Sequence, residues 1–258
     1  MGRARGTAAD FVAVARSYVD AHPDLSSGSV DEVPGLELDL DERFCLEVAD
    51  VYDRAPRLYW DDEIAGRYAL FKQANLVQYQ AIRAAGLDVR PWADRRNPYR
   101  DSRDLARRVR ESGVLHVFLT AVGHGPGEPV GFHPLREPSG VVEHGVALTH
   151  NDVFRVVHDV FGHVMHGHSF GPSGEFRATR THLPMYPVEV HPVLLTEQVG
   201  QVCWFFFGPH LRTAGRVPNR GEPGHTPPDR RPYPEQKVFP LSPDHVARFT
   251  SLFKEGHG

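Results

Sequence analysis

Histidines are the residues of this 258-residue sequence that point most directly to chemistry. The chain contains 16 of them, and twelve fall between His116 and His210. In the run from Val157 to His168, four histidines and one aspartate stand among apolar neighbours. Each buried imidazole needs a hydrogen-bonding or metal partner, and one divalent metal ion can serve several of them. The pattern therefore predicts a metal site on this segment.

The spacing of the candidate ligands leaves two ligand sets open. On a regular α-helix Asp159, His163 and His166 share one face, so these three side chains converge without distortion. His158 and His163 are five residues apart, which separates their directions by about 140° on such a helix. They could reach one ion only if His158 lies near a helix end or the helix is distorted, and Gly162 could assist the distortion. Spacing alone favours the set with Asp159.

A resemblance favours the other set. The string His158-Asp159-Val160-Phe161-Gly162-His163 resembles the iron-binding motif of the pterin-dependent aromatic amino acid hydroxylases. The resemblance implies that the two histidines bind Fe(II) and that a glutamate from a later helix completes a two-histidine, one-carboxylate site. It also implies a pterin or another two-electron donor as cofactor, with Asp159 matching an acid that contacts the pterin.

Glu197 is the predicted third ligand, so the predicted metal ligands are His158, His163 and Glu197. A carboxylate on a largely apolar helix face must be neutralised, paired with a cation or bound to a metal ion. The residues that share its face at helical spacing are Val193, Leu194, Gln201 and Trp204. Glu175 and Glu189 are weaker candidates, because acids near helix starts often interact with the helix dipole instead.

Other side chains are candidates for contacts with the ligands or the substrate. His191 could orient a ligand through a hydrogen bond. Asn75 interrupts an apolar helix face, where it could orient a polar substrate or satisfy a loop carbonyl. The full set of these candidates is Asp159, His166, Glu175, His191, Gln201 and Asn75.

The periodicity of apolar residues predicts a mainly α fold with a few short β-strands (α+β). Residues 1–258 are expected to form one domain that carries the metal site on its helices. Helices are predicted at about 7–21, 61–85, 101–112, 149–166, 191–207 and 242–253, and strands at 113–122 and 141–148. A Gly- and Pro-containing connection is expected between the helices at 149–166 and 191–207. Residues 209–237, crowded with Pro, Gly and Arg, are predicted to be a loop and a candidate lid.

Composition narrows the partners and the location. The net charge is −4 and no polybasic run occurs, so neither nucleic acid nor an anionic membrane is expected as the main partner. Only two cysteines are present, which excludes a disulfide framework. The longest strongly apolar run, 202–207, is too short to cross a bilayer. With no secretory signal recognised, a cytoplasmic protein is expected.

The sequence thus predicts a non-heme Fe(II)-dependent oxygenase, a monooxygenase that hydroxylates a small molecule with O2. The substrate is expected to be an amino acid or an aromatic-like compound. One alternative is a zinc-dependent hydrolase or lyase that uses Asp159, His163 and His166 as ligands and Glu197 or Glu175 as general base. Another is a non-catalytic helical protein with structural histidines. The substrate, the electron donor, the number of metals and the oligomeric state stay open.

Overall fold

α-Helices with apolar stripes make up most of the computed structural model, which describes residues 9–31, 33–94, 96–123 and 131–256. The α-helices in these ranges are α1 (Phe11–Ala21), α2 (Glu42–Arg54), α3 (Asp62–Ala84), α4 (Ser102–Ser112), α5 (Thr120–Gly123), α6 (His150–Val157), α7 (Pro172–His182), α8 (His191–Leu195), α9 (Gln201–Phe207) and α10 (Pro243–Ser251). The strands are β1 (Leu36–Leu38), β2 (Asp88–Trp92), β3 (Val114–Phe118), β4 (Pro138–Glu143), β5 (Val146–Thr149) and β6 (Phe253–Glu255). The predicted mainly α fold with a few short strands is confirmed.

The longest helix, α3, joins the two apolar clusters of the protein. Tyr68 and Phe71 belong to one cluster, whereas Tyr79 and Ile82 belong to the other. The helix begins where the Asp61 carboxylate accepts a hydrogen bond from a backbone N–H of the first turn, as N-capping residues commonly do. Among the described residues, no helix combines the length and the apolarity needed to cross a membrane.

The strands form three separate two-stranded sheets in the described ranges. β1 pairs antiparallel with β6, β2 pairs parallel with β3, and β4 pairs antiparallel with β5. The single strand predicted at 141–148 is instead a hairpin. Its turn lies at His144 and Gly145, whose φ angles are 48° and 80°. Positive φ at both central residues is typical of the tight turns that join twisted antiparallel strands.

The histidine-rich helix begins as predicted and then changes its winding. Thr149 and Asp152 form a reciprocal capping box at the start of α6. The regular helix ends at Val157, and residues His158–Val164 form a π-helix. A π-helix closes its hydrogen bonds between residues i and i+5, and such segments often occur at functional sites. The predicted helix over about 149–166 is therefore confirmed as far as Val164, with its second half wound as a π-helix.

The second predicted helix, 191–207, also contains a π-helical segment. α8 is followed by the π-helix Thr196–Gly200 and then by α9. Gly200 allows a close approach to α2, since a Cβ atom there would lie 2.7 Å from the Tyr52 ring. Pro192 is tolerated in the first turn because a backbone N–H at that position would have no partner within the helix.

The connection predicted between these two helices contains a helix, α7. Pro172 stands in its first turn, where proline is well tolerated. Gly174 packs against the preceding turn so closely that a Cβ atom would lie 2.0 Å from the carbonyl oxygen of Ser169. From the local sequence alone, Pro172 and Gly174 predict a turn, but in the structure they lie in the first turn of α7. This helix carries Glu175 in its first turn.

Candidate metal centre

Three side chains from two neighbouring segments bring their ligand atoms together. Nε2 of His158 and Nε2 of His163 are 3.1 Å apart. Oε2 of Glu175 lies 3.3 Å from the first of these nitrogens and 3.4 Å from the second. Within the described residues, these three form the group of histidine, cysteine and acidic side chains that could hold a metal ion.

The triangle formed by these atoms has the size that a single cation requires. At a metal–ligand distance of about 2.1 Å, ligand atoms at right angles are about 3.0 Å apart and tetrahedral ligands about 3.4 Å apart. The three measured separations fall at or within a tenth of an ångström of these limits. Two imidazole nitrogens and one carboxylate oxygen on one triangular face are the donor set that non-heme Fe(II) takes in oxygenases, and zinc also accepts it.

The π-helix explains why residues five apart converge. On a regular helix the side chains of His158 and His163 would point about 140° apart. The wider turn of the segment His158–Val164 pairs residue i with residue i+5, so the two side chains project from the same side of the helix on successive turns. Their centroids are 4.8 Å apart and their planes are nearly perpendicular, at 88°. The distortion that the sequence required for this ligand pair is therefore present.

Gly162 makes room for this arrangement. A Cβ atom at this position would lie 3.1 Å from the Cβ of Ala178 on α7 and 3.1 Å from Nδ1 of His158. Both separations are shorter than an ordinary van der Waals contact. Glycine therefore allows α7 to pack directly against the π-helix, which places Glu175 beside the two histidines.

The charges of Glu175 and His163 stabilise each other in the metal-free protein. Burial alone would raise the pKa of Glu175, but the neighbouring His163 and His158 outweigh it and lower that pKa to about 2. For His163, burial lowers the pKa, but the Glu175 carboxylate outweighs burial and the net pKa is raised. A site in which a carboxylate is stabilised by a neighbouring imidazolium also suits a metal cation. The cation then takes the place of the proton on the imidazole nitrogen.

The second ring nitrogens of both histidines have partners that set ring orientation. Nδ1–H of His163 donates to the backbone carbonyl of His168 at 3.0 Å, so in the neutral ring, once the Nε2 proton is displaced, the lone pair of Nε2 faces the triangle. Nδ1 of His158 lies 2.6 Å from the side-chain amide nitrogen of Gln198. Oε1 of Gln198 is buried and has no hydrogen-bond partner among the described residues. A half-turn of this amide would let Nδ1–H of His158 donate to that oxygen, as a metal-bound imidazole does.

The predicted third ligand, Glu197, does not join the triangle. Tyr68 donates its hydroxyl hydrogen to Oε1 of Glu197 at 2.6 Å, and Gln201 donates to Oε2 at 3.1 Å. Nε2 of His133 is also 3.1 Å from Oε1. The buried carboxylate thus has polar partners from α3 and α9. The structure brings Glu175 to the histidines in place of Glu197, because α7 lies against the π-helix.

The alternative ligand set is not brought together. Asp159 lines the same cavity as His163, but His166 lines a different cavity. The wide π-helical turn leaves Asp159 and His163 on one side but moves His166, seven residues after Asp159, off the face that the three would share on a regular helix. Asp159 is partly buried, and burial raises its pKa. The grouping of Asp159, His163 and His166 as one metal site is therefore not supported.

Three further candidates have structural partners. Asn75 donates to the carbonyl of Phe71 at 2.8 Å and accepts from the Tyr186 hydroxyl at 2.7 Å, away from the cavity. His191 lies 3.1 Å from the carbonyl oxygen of Leu183. It has no described contact with the triad of His158, His163 and Glu175. Gln201 lines the cavity and holds Glu197.

The triad opens into a cavity of about 440 Å³. Pockets that bind small molecules commonly enclose about 300–1,000 Å³. Seven phenylalanine and tyrosine rings line it together with polar groups, which include carboxamides from Asn151, Gln198 and Gln236. Tyr233 and Gln236 come from the predicted loop at 209–237, so part of that loop forms a wall of the cavity. The aromatic lining includes Tyr99, Phe118, Phe154, Phe170, Phe205 and Phe206.

Sequence reasoning did not identify Arg155, which also lines the cavity. One N–H of its guanidinium donates to the carbonyl of Phe118 at 2.6 Å. Among the described residues no carboxylate forms an ion pair with it. Burial lowers its pKa from the ordinary value, although a guanidinium stays protonated at neutral pH. Its position one turn before His158 was the available signal, but arginines on helices are usually exposed.

Comparison with known proteins gives no match. No protein-family model matches the sequence, and neither the curated proteins nor the solved structures include a significant match.

Proposed function

We propose that the protein is a non-heme Fe(II)-dependent oxygenase that hydroxylates a small molecule, with His158, His163 and Glu175 as its iron ligands. The observation that carries the proposal is the triangle of Nε2, Nε2 and Oε2 atoms with sides of 3.1 to 3.4 Å. Three facial ligands leave up to three positions on an octahedral ion for O2, water or substrate. Bound iron would supply the activation of O2.

The overall reaction requires two external electrons. The substrate C–H bond and O2 combine with two electrons and two protons to give the C–OH product and water. The donor is a two-electron reductant such as a tetrahydropterin or an external reductase. Both cysteines are free and buried. A reducing cytoplasmic compartment, in which they stay thiols and iron stays ferrous, belongs to this proposal.

Arg155 supports a substrate that carries a carboxylate. Among the described residues no carboxylate lies within salt-bridge distance of this guanidinium, and the charges of Asp152 and Asp159 act on it only from farther away. Its free N–H groups therefore favour an anionic group within hydrogen-bonding distance. The aromatic walls would enclose the apolar part of the same molecule and exclude water from it. The chain's own task is then to orient a carbon atom toward the metal position while Arg155 fixes the opposite end.

The proposal is tested by oxygen uptake. Iron-loaded protein is supplied with ¹⁸O2, a tetrahydropterin or ascorbate, and a panel of amino acids and small aromatic carboxylic acids. The expected result is substrate-dependent O2 consumption with one ¹⁸O atom in the product. If iron binds at the triad but no member of an extended panel stimulates O2 uptake above the substrate-free rate, the oxygenase proposal is contradicted.

A zinc-dependent hydrolase or lyase remains the second candidate, now with the same triad as ligands. The observation that favours it is the second buried carboxylate, Glu197, which faces the same cavity and could act as a general base. Metal analysis of the protein as isolated distinguishes the two, because zinc together with turnover that needs no O2 would select the hydrolase.

A further inference from the structure

A second cavity shares no described lining residue with the cavity at the metal triad, and its polar side chains are all nitrogen bases or cations. It encloses about 210 Å³ and is lined by Val33, Leu36, His166, His168, Arg177 and Phe253. Its polar side chains are one guanidinium and two imidazoles. No carboxylate is among the described residues that line it.

Arg177 is the strongest donor in this cavity. One of its N–H groups donates to the backbone carbonyl of Leu36 at 3.2 Å. A guanidinium carries five N–H groups in a planar fork, so most of its donors have no partner in the contacts described. Within the described part of the chain it forms no ion pair. A cation in a partly enclosed cavity without a carboxylate favours an anionic ligand.

The two imidazoles stand beside this donor. The rings of His166 and His168 have centroids 5.8 Å apart, and His168 also contacts the hydroxyl of Thr181 at 3.3 Å. A neutral imidazole offers one N–H donor, so both rings can add hydrogen bonds to an oxyanion without being protonated. Leu36 and Phe253 form apolar parts of the cavity wall, and charge-assisted hydrogen bonds are stronger beside apolar surroundings than in water.

We infer that this cavity is a binding site for a small oxyanion, a phosphate or a carboxylate, held by Arg177 with His166 and His168 as additional donors. The inference does not depend on the proposed iron chemistry, since none of its three donors is a ligand of the triad. The site does share a turn with the metal centre, because the carbonyl of His168 accepts the hydrogen bond from His163.

The test is isothermal titration of the metal-free full chain with inorganic phosphate in one arm and succinate in the other. We expect saturable one-site binding in at least one arm, and the arm that binds identifies the source of the oxyanion. Arg177→Gln is expected to weaken that binding at least about tenfold, since it removes a charge-assisted hydrogen-bond donor. Arg103→Gln is the matched control, because it removes the same charge from an exposed arginine outside the cavity.

His166→Gln provides a second variant that keeps a hydrogen-bond donor but changes its position. We expect it to weaken anion binding threefold or more. If Arg177→Gln does not fold, this variant tests the binding site in its place. The inference is overturned if neither anion binds the wild-type protein. It is also overturned if the folded cavity variants bind the anion as tightly as the wild type does, or if Arg103→Gln abolishes binding.

Discussion

Glu175 and Glu197 face the same cavity, but only Glu175 contacts the two histidines of the triad. Its Oε2 atom lies within 3.4 Å of both Nε2 atoms, whereas Glu197 is held by the Tyr68 hydroxyl at 2.6 Å. Two carboxylates in one cavity therefore have distinct surroundings. In the proposed metal centre this difference gives the ligand role to Glu175 and leaves Glu197 available for a contact with substrate or for proton transfer.

Gly162→Ala is expected to disturb the triad. The added methyl group would lie 3.1 Å from both Ala178 and the His158 ring, so the ring or α7 must shift. We predict a loss of metal affinity of at least tenfold and a cost of about 1–3 kcal/mol in the free energy of unfolding. Metal titration and chemical denaturation measure the two effects.

The matched control is Gly66→Ala in α3, where an added Cβ meets no atom within 4 Å. That variant should gain about 0.5–1 kcal/mol from the higher helix propensity of alanine and bind metal normally. Equal metal affinity in both variants would contradict the role given to Gly162.

Gln198→Leu is expected to weaken metal binding by about 10- to 100-fold, the usual cost of removing a group that orients a metal ligand. The side chain of Gln198 is 2.6 Å from Nδ1 of His158, and leucine cannot accept a hydrogen bond from that nitrogen. Gln198→Glu keeps an acceptor at the same place and should retain most of the affinity. If the leucine variant binds metal like the wild type, Gln198 does not orient the ligand.

The stability of the metal-free protein is expected to depend on pH through Glu175 and His163. The pKa of Glu175 is lowered to about 2, so its contribution is present above its ordinary value of 4.5 and is lost as the pH falls toward 2. The pKa of His163 is raised, so its contribution is present below 6.5 and is lost as the pH rises through the raised value. Their ion pair therefore stabilises the fold most between about pH 4.5 and 6.5.

Glu175→Gln should consequently lower the melting temperature of the metal-free protein more at pH 5.5 than at pH 9. Glu189→Gln, which removes an exposed carboxylate, should show no such difference. A melting-temperature change for Glu175→Gln that is the same at both pH values would contradict the ion pair.

Arg155→Gln is expected to weaken the binding of aromatic carboxylates while leaving metal binding unchanged. Benzoate is a suitable probe of the cavity, and benzyl alcohol is a neutral probe of similar shape. We predict at least about tenfold weaker binding of benzoate, because a charge-assisted hydrogen bond is lost, and no change for benzyl alcohol. Parallel losses for both probes would indicate a collapsed cavity and would contradict the specific role of Arg155.

The sequence was sufficient to predict the mainly α fold and the position of the histidine segment. Apolar periodicity located α3, and the pairing of Thr149 with Asp152 located the start of α6. His158 and His163 followed from their resemblance to an iron-binding motif. The five-residue spacing of these histidines disfavours the pair on a regular α-helix. The π-helix that brings them together has no simple sequence signal.

The third ligand could not be predicted because it depends on a helix that the local sequence obscures. Gly171, Pro172 and Gly174 are typical of a loop, yet proline fits a first helical turn and glycine here fits a close contact with Ser169. Glu197, on an obvious apolar helix, looked better placed. Which of two buried carboxylates meets the histidines is decided by packing between helices that are distant in sequence.

The central claim is tested most directly by anaerobic Fe(II) titration of the wild-type protein, Glu175→Gln and Glu197→Gln. We expect one Fe(II) per wild-type chain, at least 100-fold weaker binding in Glu175→Gln, and binding within about threefold of wild type in Glu197→Gln. Retained affinity in Glu175→Gln together with its loss in Glu197→Gln would show that Glu197 is the ligand. No Fe(II) binding by the folded wild-type protein would contradict the metal centre itself.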